Sequence, residues 1–302
     1  MQQQAGNTQQ TEMLATAPKA SRARAYVQIL KPRLSLLVAI SSVFGYAMAA
    51  GAAWEPLLLV MMGLGGMFIT GASNILNQIF EKQYDAQMQR TMNRPLPTGS
   101  MGAFESLVYA LILATVGIGM IGYFFNLSAA LLGIIGLLSY AFVYTPMKRW
   151  SSASVFVGAI PGALPPLIGW VGVTGALDTP GLLLFGFQFF WQFPHFWAIA
   201  WLLDDDYKKA GFKMLPSADG RSRRSAIYIL TYSVCLVPLA LFPYFYGMVA
   251  FWAAIALLFL GLAFMYPAIQ LFRSLDAKHA KRLMFFSFMY LPVMQIIFLL
   301  GN

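Results

Sequence analysis

The chain alternates long apolar runs with short polar connections. Nine runs stand out, near Ser35–Ala52, Pro56–Phe80, Ala103–Tyr123, Leu127–Val143, Ser154–Val173, Gly181–Leu203, Ala226–Phe245, Val249–Phe272 and Leu283–Leu300. Each holds about 17–25 residues, the length that carries a helix across a bilayer. The expected fold class is an all-α integral membrane protein, a bundle of nine transmembrane helices. Residues 1–24 precede the first run. They are polar and Gln-rich and read as a disordered tail. A cleaved signal peptide is not expected there, because the polar stretch is too long.

The basic residues orient the bundle. All 20 Lys and Arg fall before the first run or in the connections after the second, fourth, sixth and eighth. The opposite connections, such as Ala52–Pro56 and Thr174–Pro180, hold none. The positive-inside rule then puts the N-terminus in the cytoplasm and, with nine spans, the C-terminus outside. Two connections on the basic side are long, Glu81–Gly102 and Asp204–Ser225. Long loops in compact proteins carry function or are disordered.

Composition agrees with a membrane protein and narrows the chemistry. Charged residues make up 10% of the 302, against about 25% in soluble domains. The net charge of +9 is accounted for by topology. No basic arm interleaved with aromatics occurs, so the lipid bilayer is an expected partner and nucleic acid is not. One cysteine, Cys235, and two histidines exclude an intrachain disulfide and a zinc constellation.

The first long loop begins with the candidate chemistry. Asn77, Glu81 and Asp85 are spaced i, i+4, i+8 and share one helix face. Their oxygens suit a hard cation such as magnesium, which takes one or two carboxylates plus substrate phosphates. Arg90 and Arg94 follow, and guanidinium groups suit phosphate oxygens. The pattern reads as a diphosphate site. The alternative is a solvated helix end with internal ion pairs, and Asp85 is expected to be solvated on either reading. The second long loop begins with Asp204, Asp205 and Asp206, followed by Lys208 and Lys209. Lys148 and Arg149 close the fourth run, either reaching a diphosphate or anchoring the topology. His195 lies about 14 Å along a helix from Asp204, at membrane depth, where an ionisable group is costly. It follows Pro194 and sits among Trp191, Phe193, Phe196 and Trp197. It reads either as a neutral histidine bonded to a neighbouring helix or as a group that holds a flat substrate.

These residues carry a resemblance. Asn77 to Leu96 follows the pattern N-x-x-x-E-x-x-x-D-x-x-M-x-R-T-x-x-R-P-L, and Pro194-His195-Phe196, Asp206-Tyr207, Ala210-Gly211 and Met214-Leu215-Pro216 follow a second one. Lys31-Pro32-Arg33, Tyr144-Thr145-Pro146 and Gly162-Ala163 with Pro165-Pro166 also fit. Over residues 25–300 the chain resembles the UbiA superfamily of intramembrane prenyltransferases, in its haem-farnesylating branch. The pattern departs at Ser154, where many relatives carry asparagine. The resemblance implies one transmembrane prenyltransferase domain over residues 25–302, with a central cavity open to the cytoplasm. It implies magnesium-dependent transfer of the farnesyl group of farnesyl diphosphate to a vinyl group of haem B, water then quenching the resulting cation. Asn77, Glu81, Asp85 and Asp206 would hold Mg2+. Arg90, Arg94, Lys148, Arg149, Asp206, Lys209 and His195 would bind the substrates. The implied location is the cell inner membrane, with the site facing the cytoplasm. The implied downstream partner is haem A synthase or terminal oxidase assembly.

Other readings stay open at this level. A quinone precursor or a chlorophyll-like ring would be the acceptor in a related prenyltransferase. A haem-delivery factor would keep His195 but tolerate loss of Glu81 and Asp85. A transporter would more often show inverted repeats and broken helices.

The charge pattern makes a direct prediction. Labels placed in Glu81–Gly102 and Asp204–Ser225 should report the cytoplasm, and a label after Leu300 the outside. A cytoplasmic C-terminus would mean that the helix count is wrong.

Overall fold

The computed structural model describes residues 21–302. Of the expected tail, residues 1–20 therefore lie outside the described residues, and Arg22 to Arg24 form the first turn of a short helix. Among the described residues every regular element is helical. In chain order the α-helices are α1 (Arg22–Ile29), α2 (Pro32–Ala50), α3 (Pro56–Asp85), α4 (Ala103–Phe124), α5 (Leu127–Leu138), α6 (Thr145–Trp150), α7 (Ser154–Thr174), α8 (Thr179–Leu202), α9 (Asp204–Lys209), α10 (Arg223–Leu239), α11 (Phe242–Phe245), α12 (Phe251–Ser274) and α13 (Ala277–Gly301), with one 3-10 turn, Gly51–Ala53, after α2. A six-residue π-helical segment, Ser139–Tyr144, joins α5 to α6. Pro146 lacks an N–H, so the regular ladder cannot simply continue through this turn.

Eight of the helical stretches are long and apolar enough to cross a membrane. The expected sixth run does form a helix, α8, of 24 residues. It is absent from the eight because Gln188, Gln192, Pro194 and His195 lower its apolarity. That difference matters below, since these residues face inward.

Consecutive long helices pack on one another. Contacts pass from α2 to α3, α4 and α5, then through α7 and α8 to α10, α12 and α13. The ring closes where α13 meets α2. Gln295 Nε2 donates to Ser41 Oγ at 3.0 Å, Asn302 Nδ2 donates to the Met48 carbonyl at 3.2 Å, and Phe298 meets Phe44 edge-on. Helix α7 is the most buried of the eight spans and touches α2, α5 and α8.

Lipid gives little hydrophobic drive for helices to associate, so close packing of small residues has to supply it. The crossing of α2 and α7 is built that way. A Cβ at Gly45 would fall on the carbonyl of Pro166, and a Cβ at Gly169 would fall on the carbonyl of Ser42. Gly45→Val should therefore lower stability in detergent by about 3 kcal/mol, the scale of an overpacked core. Gly119→Ala, which adds a methyl to open space, should be near neutral. Equal melting temperatures for both variants would show that the crossing is not tight.

Candidate active site

The site starts from a break in the chain. Pro32 disfavours the helical conformation at Lys31, which instead takes a left-handed one with φ 50°. The carbonyls left over at the end of α1 are collected by α3. Gln78 Nε2 donates to Ile29 O at 2.7 Å, and Asn74 Nδ2 to Leu30 O at 3.4 Å and to Ser35 Oγ at 3.2 Å. This fixes Lys31 above the next turn of α3, where its Nζ donates to Asn77 Oδ1 at 3.4 Å. Lys31 is half-buried, and its ammonium is pushed down to about 7. Burial is the main cause; Arg94 and Lys148 add to it, and Glu81 and Asp85 oppose it.

The expected face forms. Asn77, Glu81 and Asp85 are all buried on the inner side of α3. Asn77 Nδ2 donates to Thr145 Oγ1 at 3.0 Å, and Thr145 Oγ1 donates to Tyr140 O at 2.8 Å, so the π-helical segment presents Thr145 to the face. Glu81 Oε1 accepts from Lys148 Nζ at 2.8 Å. Both Asp85 oxygens accept from Arg94 Nη1, at 2.8 and 2.7 Å. Asp85 is not at a solvated helix end as expected; it is 0% exposed. The loop after it folds back as compact turns that bury Met88, Thr91, Leu96 and Met101. Thr91 Oγ1 donates to the Asp85 carbonyl at 2.9 Å and ties those turns to the helix end.

The second loop meets the first at the rim. Asp206 accepts from the backbone N–H of Gln89 at 3.1 Å and of Arg90 at 3.5 Å, with Lys209 Nζ 3.8 Å away. Arg90 Nη2 donates to Tyr207 OH at 3.3 Å. Lys213 N donates to the Lys148 carbonyl at 2.9 Å, so the same loop also holds α6. Arg149 lies over the Tyr84 ring at 4.6 Å. Thus Asn77, Glu81, Asp85, Arg94 and Lys148 share one cluster, Arg90, Asp206 and Lys209 form its rim, and Arg149 turns onto an aromatic ring. Among the described residues no group of three His, Cys, Asp or Glu side chains could hold a metal unaided. One amide and two carboxylates on one face fit an ion that takes its other oxygens from phosphates.

A cavity of about 320 Å³ begins one turn below Asn77, at Asn74, Tyr140 and Tyr144, and continues to His195. His195 stacks on Trp191 with ring centroids 4.7 Å apart, and Phe288 meets it edge-on. Its Nδ1 lies 2.7 Å from Ser287 Oγ. The Ser287 hydroxyl donates its one proton to Met284 O at 2.6 Å. His195 Nδ1 is therefore the N–H donor to Ser287, which leaves Nε2 with its lone pair.

Three residues escaped the sequence reading of the site. Lys31 stands only inside a motif; the proline that follows it is the available signal. Thr145 also stands only inside a motif, and Ser287 gives no signal; both act through partners 68 and 92 residues away. Ser154, the point of departure, is fully buried, and its hydroxyl has no partner among the described residues.

Comparison with known proteins identifies the family and the fold. The model of the UbiA prenyltransferase family matches residues 38–290. A protoheme IX farnesyltransferase of Cytophaga hutchinsonii is 44% identical over 283 residues, covering 94% of this chain and 99% of that one. A second, from Christiangramia forsetii, is 41% identical over 289 residues, covering 94% and 95%. Among solved structures, digeranylgeranylglyceryl phosphate synthase superposes with a TM-score of 0.78 at 19% identity, covering 93% of this chain and 98% of that one. A UbiA homolog from Archaeoglobus fulgidus bound to DMAPP and Mg2+ superposes with a TM-score of 0.68 at 16% identity, covering 89% and 99%.

The buried pairs set up a stability test. Arg94→Ala leaves the Asp85 carboxylate buried without its cation and should cost about 3 kcal/mol. The double variant Asp85→Asn with Arg94→Ala should recover part of that loss. Thermal unfolding in detergent reads both; an Arg94→Ala protein as stable as the parent would mean that the pair holds nothing.

Proposed function

The chain belongs to the UbiA prenyltransferase family, and we propose that it transfers the farnesyl group of farnesyl diphosphate to a vinyl group of haem B, giving haem O and diphosphate. One observation supports this reading above the others. A cluster of carboxylates and cations sits one helical turn from an apolar, aromatic-walled cavity that is lined in part by a histidine with a free Nε2. A diphosphate ester with a hydrocarbon tail and a flat iron-bearing ring are the substrates that such a pair of environments suits. The protein is a multi-pass membrane protein. On this reading α8 is the ninth span. The N-terminus and the site face the cytoplasm, the C-terminus lies outside, and the membrane is the cell inner membrane. The product passes to haem A synthase or to terminal oxidase assembly.

The division of labour follows from the side chains. Asn77, Glu81, Asp85 and Asp206 would hold Mg2+, which supplies Lewis-acid stabilisation of the departing diphosphate. Lys31, Arg90, Arg94, Lys148 and Lys209 bind diphosphate oxygens and compensate the charge that develops as the C–O bond breaks, and Arg149 would join them only by leaving the Tyr84 ring. Tyr140, Tyr144, Trp191, Phe196 and Phe288 line the cavity. They keep bulk water from the allylic cation, which would otherwise end as farnesol, and their ring faces attract it. His195 Nε2 binds the haem iron, with Ser287 fixing the tautomer.

Purified protein incubated with haem B, farnesyl diphosphate and magnesium should yield farnesylated haem by mass. Asp85→Asn keeps the size of the side chain and removes its charge, so it should abolish turnover. His195→Ala should weaken haem binding and spare farnesyl diphosphate binding; Asp85→Ala should do the reverse. Full rescue of function by His195→Gln, which keeps a hydrogen bond but ligates iron poorly, would sink the ligand role.

A further inference from the structure

We propose that the side-chain oxygens of Gln188 and Gln192 hold the water molecule that completes the reaction, an inference that rests on the function given above. Gln188, Gln192 and His195 are spaced i, i+4, i+7 and line the cavity from one face of α8. Both glutamines are buried, at 4% and 3% exposure. Gln192 uses both of its N–H groups and Gln188 uses one. Pro166 has no N–H, so it leaves the carbonyl of Gly162 without its helical partner. Gln188 Nε2 donates to that carbonyl at 2.7 Å. Gln192 Nε2 donates to Ala159 O at 3.1 Å and to Gln188 O at 3.2 Å. Helix α7 therefore anchors both amides through their nitrogens, at the carbonyls of Gly162 and Ala159.

The oxygens are left over. Gln188 Oε1 is buried with no donor. Gln192 Oε1 lies against Gly162, at the spot where a Cβ would fall, and no donor reaches it among the described residues. Gly162 thus accommodates both glutamines, one through its carbonyl and one through its missing side chain. Buried acceptors of this kind need a donor. The farnesyl chain has no O–H or N–H. The haem vinyl edge has none, and the pyrrole nitrogens of haem are occupied by iron. Water is the one reactant that can supply it.

The chemistry requires that water at a defined place. The farnesyl C1–O bond breaks and its electron pair leaves with the diphosphate. The vinyl π pair forms the new carbon–carbon bond, leaving a cation on the carbon next to the macrocycle. The oxygen of the held water adds to that carbon and forms the hydroxyl. The proton it loses passes to the released diphosphate. Without the water, the cation loses a proton from the neighbouring carbon instead, and the product is lighter by one water.

The test reads this partition. Gln188→Met and Gln192→Met keep the volume and remove the amide. In each, the ratio of dehydrated to hydroxylated farnesyl haem should rise about tenfold while total transfer persists, the effect of losing one buried hydrogen bond. Gln188→Asn, which keeps the amide but withdraws it by one carbon, should shift the ratio less. An unchanged ratio in variants that still transfer farnesyl overturns the inference. So does loss of all transfer in all three, which would make the glutamines purely structural. Parent protein that makes no farnesylated haem overturns the function itself, a separate outcome.

Discussion

Charge withdrawn from water must be compensated, and that requirement shapes the polar end of the bundle. Glu81 and Asp85 are each matched by one cation, Lys148 and Arg94, at hydrogen-bond distance. Removing two carboxylates from water carries a penalty that pairing offsets only with good geometry. The surrounding structure provides it. The turns after α3 carry Arg94 back over Asp85, and the second loop holds α6 so that Lys148 reaches Glu81. The two long loops are thus parts of the site, and their order follows from the charges beneath them.

Some of this was readable from residue order alone. The spans showed in the apolar runs, and the face of Asn77, Glu81 and Asp85 showed in their spacing, because helix periodicity is a local property. Pairing is not local. Lys148 and Glu81 are 67 residues apart, and His195 and Ser287 are 92 apart. The burial of Asp85 depends on a loop that has no periodicity to read. Helix α8 shows in the sequence as an apolar run, and its glutamines and histidine also make it the polar wall of the cavity.

Proline and glycine have separate tasks in α7. Gly169, with Gly45 on α2, lets two backbones approach. Pro166 frees the Gly162 carbonyl, and the glutamine of a neighbouring helix takes it. A residue class usually read as helix-breaking here specifies which side chain must lie opposite. The two roles together let α7 sit between α2, α5 and α8, with the cavity against its side.

The seam between α2 and α13 carries a consequence for how the molecule is made. Ser41 and Gln295 are separated by 254 residues, nearly the whole described chain. During synthesis the first span is inserted long before its last partner exists. Until α13 arrives the ring stays open on one side, and the polar wall of α8 faces lipid or an insertion factor rather than a closed cavity. Contacts of such sequence separation form late. Assembly of the cavity is therefore the final event of biogenesis. A chain that stops before α13 retains the complete carboxylate–cation cluster but has no enclosed space in which to use it.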